Sequence, residues 1–212
     1  MYKNCLIFLV LFTLILASCS EKTDKRIVCI GDSITEGAGL KYQSSDSYPA
    51  QLDQILGNGF EVVNCGQSAA TMLKESDYSY WQCNEFSNVF TVDPDIVVIA
   101  LGTNDSKDHN WNADQFTKDY QSMIGLLKSM NQEMKIYVCL PPPAFNHAWG
   151  INDSTILHGI IPILRKLSVE NKLQLIDLYT AFQNHPEVFP DSIHPNKAGA
   201  KMMAEFVANE IK

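Results

Sequence analysis

The sequence predicts an α/β fold, a single parallel sheet with helices on both faces. Two observations carry that prediction. Five short apolar runs alternate along the chain with stretches of helical periodicity, which is the signature of repeated strand–helix units. One run, at 95–101, is apolar almost throughout (Ile96-Val97-Val98-Ile99-Ala100-Leu101), as a strand buried on both faces must be. At 212 residues and 46% apolar composition, the chain can build one domain with a full core.

The elements follow in order. Arg26-Ile27-Val28-Cys29-Ile30 reads as the first strand, and Gly31-Asp32-Ser33-Ile34-Thr35-Glu36-Gly37 follows it directly. Ser47 is placed to cap a helix with Pro49 in its first turn, Leu52, Ile55 and Leu56 on one face, and Gly57 at its end. Glu61-Val62-Val63-Asn64 is the second strand, and 95–101 the third. Asn112 caps a helix whose stripe is Phe116, Tyr120, Met123, Leu127 and Met130. The fourth strand, 135–140, is stopped by Pro141-Pro142-Pro143. Residues 152–171 read as a helix with Ile156, Ile160, Ile163, Leu164 and Leu167 inward, and Gly159 and Pro162 predict a kink or a late start. Residues 173–177 are the fifth strand. Asn196 caps the last helix, with Met203, Phe206, Val207 and Ile211 inward. The crossovers are expected to be right-handed.

Residues 1–18 stand outside this pattern. Lys3 precedes an apolar stretch, 6–17, that is too short to span a bilayer but suits the core of a signal peptide. It ends Leu16-Ala17-Ser18-Cys19, which resembles a bacterial lipobox. That resemblance implies cleavage before Cys19, lipidation of its thiol and attachment to a membrane; the alternative is an ordinary secretory signal with a chance cysteine. Residues 19–25 are then a tether and 26–212 the domain. A serine after the cysteine points to the outer membrane or the periplasmic face. The chain carries 16 basic and 24 acidic side chains with no basic cluster, so nucleic acid is excluded as a partner.

Ser33 stands at the tip of the first strand, where α/β proteins place their ligands. A serine hydroxyl needs a base, and the base needs an orienting group. Asp191-Ser192-Ile193-His194-Pro195 offers both: a carboxylate three residues before an imidazole. Together with Gly66 in Asn64-Cys65-Gly66-Gln67-Ser68 and with Gly102-Thr103-Asn104-Asp105, these segments resemble the four blocks of the SGNH (GDSL) hydrolase family, in the family's order. The resemblance implies a flavodoxin-like three-layer α/β/α fold with a five-stranded parallel sheet. It also implies serine-esterase chemistry without a cofactor. Ser33, His194 and Asp191 would be the catalytic residues, and the Ser33 and Gly66 amides with the Asn104 side chain would form the oxyanion hole.

One rival serine exists. Gly66-Gln67-Ser68-Ala69-Ala70 follows a strand and approximates the nucleophile elbow of α/β-hydrolases. It leaves the segments at 31–37 and 102–105 without roles, so Ser33 is preferred. Asp32 and Asp105 are assigned to local loop bonding. Trp81, Trp111, Phe145 and Trp149 lie in loops at the expected catalytic edge and are candidates for the substrate pocket, with plain packing as the alternative for each. The histidines show no ligand spacing, so no metal is expected. Cys29 and Cys139 read as buried apolar residues; Cys65 and Cys83 are the plausible disulfide pair, but two free thiols are expected. A monomer is expected. The loops resemble those of anchored family members that remove acetyl groups from sugars. The alternatives are a lysophospholipase or thioesterase, and a non-catalytic carbohydrate-binding lipoprotein.

Overall fold

The structure, a computed structural model of the chain, describes residues 24–212. The expected signal peptide, Cys19 and most of the expected tether lie outside the described residues. Five strands form one parallel sheet in the order β2-β1-β3-β4-β5. Strand β1 is Lys25–Gly31 and is followed by the single-turn helix α1, Ser33–Glu36. Helices α2, Gln43–Asp46, and α3, Tyr48–Leu56, lead to β2, Phe60–Gly66. Helix α4, Asn84–Val92, precedes β3, Ile96–Ala100. Helix α5, Ala113–Met130, precedes β4, Lys135–Leu140. Helix α6, Asp153–Thr155, runs into α7, Ile161–Asn171, which leads to β5, Gln174–Asp177. Helix α8, Leu178–Phe182, and helix α9, Lys197–Ile211, complete the chain.

Alternation along the strands divides the core into two layers. Val28, Ile30, Val97, Ile99, Ile136 and Val138 face α5 and α7, packing on Phe116, Tyr120, Met123 and Leu164. Ile27, Cys29, Ile96, Val98, Tyr137 and Cys139 face α3 and α9, packing on Leu52, Met203, Ala204 and Val207. Both faces are covered, so the central strands β1, β3 and β4 are buried in the middle of a three-layer α/β/α domain, while the edge strands β2 and β5 are only partly buried. Neighbouring crossovers leave the edge of β1 in opposite directions, to β2 on one side and β3 on the other. Ligands of open α/β sheets bind at such a reversal.

Several local expectations meet their reasons here. Asn112, Asn152 and Asn196 each accept an amide hydrogen from the first turn of the helix they precede. Ser47 begins α3 without a side-chain bond to it. Helix α4 is absent from the sequence reading; only Val89 of its residues is buried, so its apolar stripe is weak. The predicted kink near Gly159 is a π-helical turn, Ile156–Ile160, between α6 and α7. A Cβ on Gly159 would lie 2.6 Å from the Trp111 ring, so the wider turn and the missing side chain make room for the indole. The four cysteines of the described residues, Cys29, Cys65, Cys83 and Cys139, are free thiols.

Candidate active site

Ser33 opens α1 immediately after β1, at the reversal of the sheet. Asp32 caps this turn: its Oδ1 accepts the Ile34 N–H at 2.9 Å. The chain therefore bends sharply at 32, and Ser33 remains 9% exposed at the rim of the sheet.

Residues 191–194 form a tight turn of their own. Asp191 Oδ1 accepts the N–H groups of Ile193 at 3.0 Å and His194 at 2.7 Å, and Ser192 takes a φ of 74°. The second carboxylate oxygen, Oδ2, lies 2.6 Å from His194 Nδ1. A carboxylate only accepts, so this bond places a proton on Nδ1 and leaves the Nε2 lone pair to face outward. Nε2 stands 2.8 Å from Ser33 Oγ, across 161 residues of sequence. Burial works to raise the Asp191 pKa, but the His194 ring, the two amides and the imidazole's charge outweigh it and hold the carboxyl below its ordinary value.

The expected oxyanion donors need one correction. The Gly66 N–H is committed to Asn64 Oδ1 at 2.9 Å. Gly66 is the last residue of β2, paired with Gly31, and its glycine serves a close approach: a Cβ there would lie 2.2 Å from the Glu36 amide nitrogen. Three residues later, Ala69 has a φ of 64°, and among the described residues its N–H has no hydrogen-bond partner. Its neighbours are tied to the site on both sides. The Gln67 N–H donates to Gly31 O at 3.0 Å, and the Asn104 side chain donates to Ala70 O at 3.2 Å. Asn104 is buried beside this loop and has a second amide hydrogen still to place. An alanine gives no sequence sign of a left-handed backbone, so Ala69 went unnoticed in the sequence reading.

Ser68 has no imidazole. Its Oγ is hydrogen-bonded to the Glu36 carboxylate, while the imidazole that the elbow reading needs is held against Ser33.

With this geometry in view, the comparison with known proteins is direct. Residues 29–202 match the model of the GDSL-like Lipase/Acylhydrolase family. The chain belongs to that family. An acetylxylan esterase of Xylanibacter ruminicola is 41% identical over 206 residues, covering 88% of this chain and 43% of that protein. The chain thus spans less than half the length of this relative. Two solved structures share the fold: an acetyl xylan esterase, AlAXEase (TM-score 0.70, 24% identity, 88% of this chain and 100% of that one), and Est24, a carbohydrate acetylesterase from Sinorhizobium meliloti (TM-score 0.70, 18% identity, 89% and 98%).

The four candidate aromatics of this GDSL-family chain have different surroundings. Trp81 donates its indole N–H to Met72 O at 2.8 Å, with the Lys74 ammonium 4.2 Å from its ring. Trp111 packs on Phe116 and over Gly159. Phe145 stacks on Phe189 at 5.5 Å. These are contacts of packing. Trp149 is 70% exposed, and its ring stands edge-on to that of His194 at 6.4 Å.

Two clefts open near the site. A cleft of about 560 Å³ reaches His194 and Asp191 and is walled by Ala38, Leu40, Pro190 and Lys41. A polar groove of about 510 Å³ runs past Gly66 between Glu36, Asn64 and Glu85.

Two buried carboxyls brace the site from below. Asp32 Oδ2 is buried without a hydrogen-bond partner, and burial pushes the group up to about 6 against the pull of the Ile34 amide. Asp105 is not a local loop bond, as the sequence suggested. It accepts the amides of Met72 at 2.9 Å and Leu73 at 2.8 Å, tying the loop after β2 to the loop after β3, and burial pushes it up to about 7.

Proposed function

We propose that this protein is a serine esterase that removes acetyl groups from carbohydrates, with Ser33 as nucleophile, His194 as acid–base and Asp191 as its orienting group. The observation that carries the proposal is the continuous bond path from Asp191 through His194 to Ser33, at 2.6 and 2.8 Å. Ser33 Oγ attacks the ester carbonyl as its proton passes to His194 Nε2. The carbonyl oxygen becomes an oxyanion facing the amides of Ser33 and Ala69 and the Asn104 side chain. Collapse of the tetrahedral adduct breaks the bond to the sugar oxygen, which takes the proton from Nε2. Water then attacks the acetyl-enzyme through the same groups, releasing acetate and restoring Ser33.

The carbohydrate substrate is supported by the acetylxylan esterase of Xylanibacter ruminicola. A panel of aryl esters from acetyl to decanoyl, followed by acetylated xylo-oligosaccharides, tests the reading. Hydrolysis of the acetylated sugars with a preference for acyl chains of up to about four carbons is the expected result. A maximum at octanoyl or longer would instead assign the apolar wall of Ala38, Leu40 and Pro190 to an acyl chain, and the enzyme to the lysophospholipase or thioesterase class.

The proposal extends to location: export, with anchoring to a bacterial membrane through lipid on Cys19. It rests on Leu16-Ala17-Ser18-Cys19. Cys19→Ala should release the protein from the detergent phase, and an unmodified mature N-terminus would refute the anchor.

A further inference from the structure

We infer that Trp149 is the binding platform for the sugar that leaves, and that its loop and the turn bearing Asp191 and His194 form one unit through which that sugar is placed against the imidazole. The inference rests on the carbohydrate reading above.

The chemistry decides which half of the substrate Trp149 meets. The leaving oxygen must come within hydrogen-bond reach of His194 Nε2 to receive its proton. The sugar that carries this oxygen therefore lies over His194, and the Trp149 ring is beside His194 at 6.4 Å. The carbonyl oxygen of the acetyl group faces away from His194, toward the loop of Ala69 and Asn104.

The loop is built to present this ring. A large apolar side chain left 70% exposed gains nothing from the core, and none of the residues Ala148–Gly150 is buried. Asn146, His147 and Trp149 have φ values of 62°, 48° and 59°, and Gly150 has 75°. Side-chain-bearing residues rarely adopt this region, and such backbones gather where a binding site over-determines them. The ends of the loop are fixed. Ile151 is buried, and the Asn152 N–H donates to Ser106 Oγ at 3.0 Å. On the other side the Phe145 N–H donates to Ser192 O at 2.9 Å, and the Asn146 side chain reaches Ser192 Oγ at 3.4 Å. Ser192 itself lies between Asp191 and His194 at a φ of 74°. The base of the Trp149 loop is thus bonded into the catalytic turn, chiefly through the Phe145 N–H, and this ties the platform to the imidazole. An indole face offers a flat apolar surface to the C–H face of a pyranose, and its cost in side-chain entropy is small.

The test compares Trp149→Ala and Trp149→Phe with the wild type on an acetylated xylo-oligosaccharide and on ethyl acetate, whose leaving alcohol has no ring. Thermal unfolding checks that the exposed position leaves the fold intact. Trp149→Ala should lower kcat/KM on the sugar ester at least about tenfold, mainly through KM, corresponding to about 1.4 kcal/mol. Its rate on ethyl acetate should stay within about twofold, and Trp149→Phe should recover part of the loss. An equal fall on both substrates would make Trp149 a support for His194 only and overturn the platform. No fall on either would overturn it too. The wild-type arm reads the underlying function separately: ethyl acetate hydrolysis without sugar-ester hydrolysis would refute the carbohydrate substrate, and the sugar platform with it.

Discussion

Asn64 Oδ1 holds the N–H of Gly66 at 2.9 Å, so the glycine paired with Gly31 keeps its hydrogen for its own strand end. The position of that bond separates two roles that the sequence alone merges. Gly66 is required for close packing, because a Cβ would meet backbone atoms of Thr35 and Glu36 at 2.2–2.8 Å. Gly66→Ala should therefore destabilise the protein by about 3 kcal/mol, read as a large drop in unfolding temperature. Ala69→Gly should do the reverse, keeping activity while relieving the left-handed backbone by up to about 1 kcal/mol. Replacing the Ala69 amide by an ester link removes the donor alone and should cost ~100-fold or more in kcat. A wild-type rate in that ester-linked protein would return the role to another group.

Ser33→Ala should abolish hydrolysis and fluorophosphonate labelling, while Ser68→Ala should retain both, since Ser68 is bonded to Glu36 and not to an imidazole. Asn104→Ala should lower kcat by ~10²–10³, the usual cost of one oxyanion donor. Burst and steady-state kinetics on an aryl acetate measure both. Labelling that survives Ser33→Ala and is lost in Ser68→Ala would move the nucleophile.

Asp191→Asn isolates the orienting role. It keeps an oxygen for the Ile193 and His194 amides, so the turn should hold, but it offers Nδ1 no carboxylate. We expect kcat to fall by ~10²–10⁴, with KM little changed. Because its partners hold the Asp191 pKa below the ordinary carboxylate value, this group stays ionised around neutral pH. The wild-type pH–rate profile should show no step from Asp191 in the neutral range. An Asp191→Asn enzyme with full activity would give the orienting role to a different carboxylate.

Asp32 links the site to stability. Its folded-state pKa of about 6 lies above its ordinary value of 3.8, so between the two the folded protein binds the extra proton. Its contribution is fully present below about pH 4 and is lost as pH rises through about 6. Asp32→Asn keeps the oxygen that caps α1 and removes the buried charge. Its unfolding temperature relative to wild type should rise between pH 5 and pH 7.5. A difference that stays flat across this range would show that Asp32 is not the group that titrates.

The order of the strands' contents, the stripe of α5 and the pairing of Asp191 with His194 were legible in the sequence, because each rests on spacing within a few residues; Phe206, expected inward on α9, is instead 40% exposed. Alternating runs announce buried strands, steps of 3 and 4 announce a helix face, and a carboxylate three residues before an imidazole can reach it in one turn. Ser33 was legible for a related reason: a capped turn at the end of a first strand needs only Gly31, Asp32 and Ser33. The tertiary structure alone decided which amide near Ser33 is free and which tryptophan stands beside His194. Gly66 and Ala69 look interchangeable along the chain until Asn64 takes one N–H and the backbone of Glu36 closes on the first residue. Trp81, Trp111 and Trp149 are equally aromatic and equally loop-borne. Met72 and Gly159 draw two of them into packing, and the bonds between Phe145, Asn146 and Ser192 carry the third to His194. Those contacts join segments far apart in sequence, and a hydrogen bond or a steric limit between distant segments leaves no periodic trace in either one.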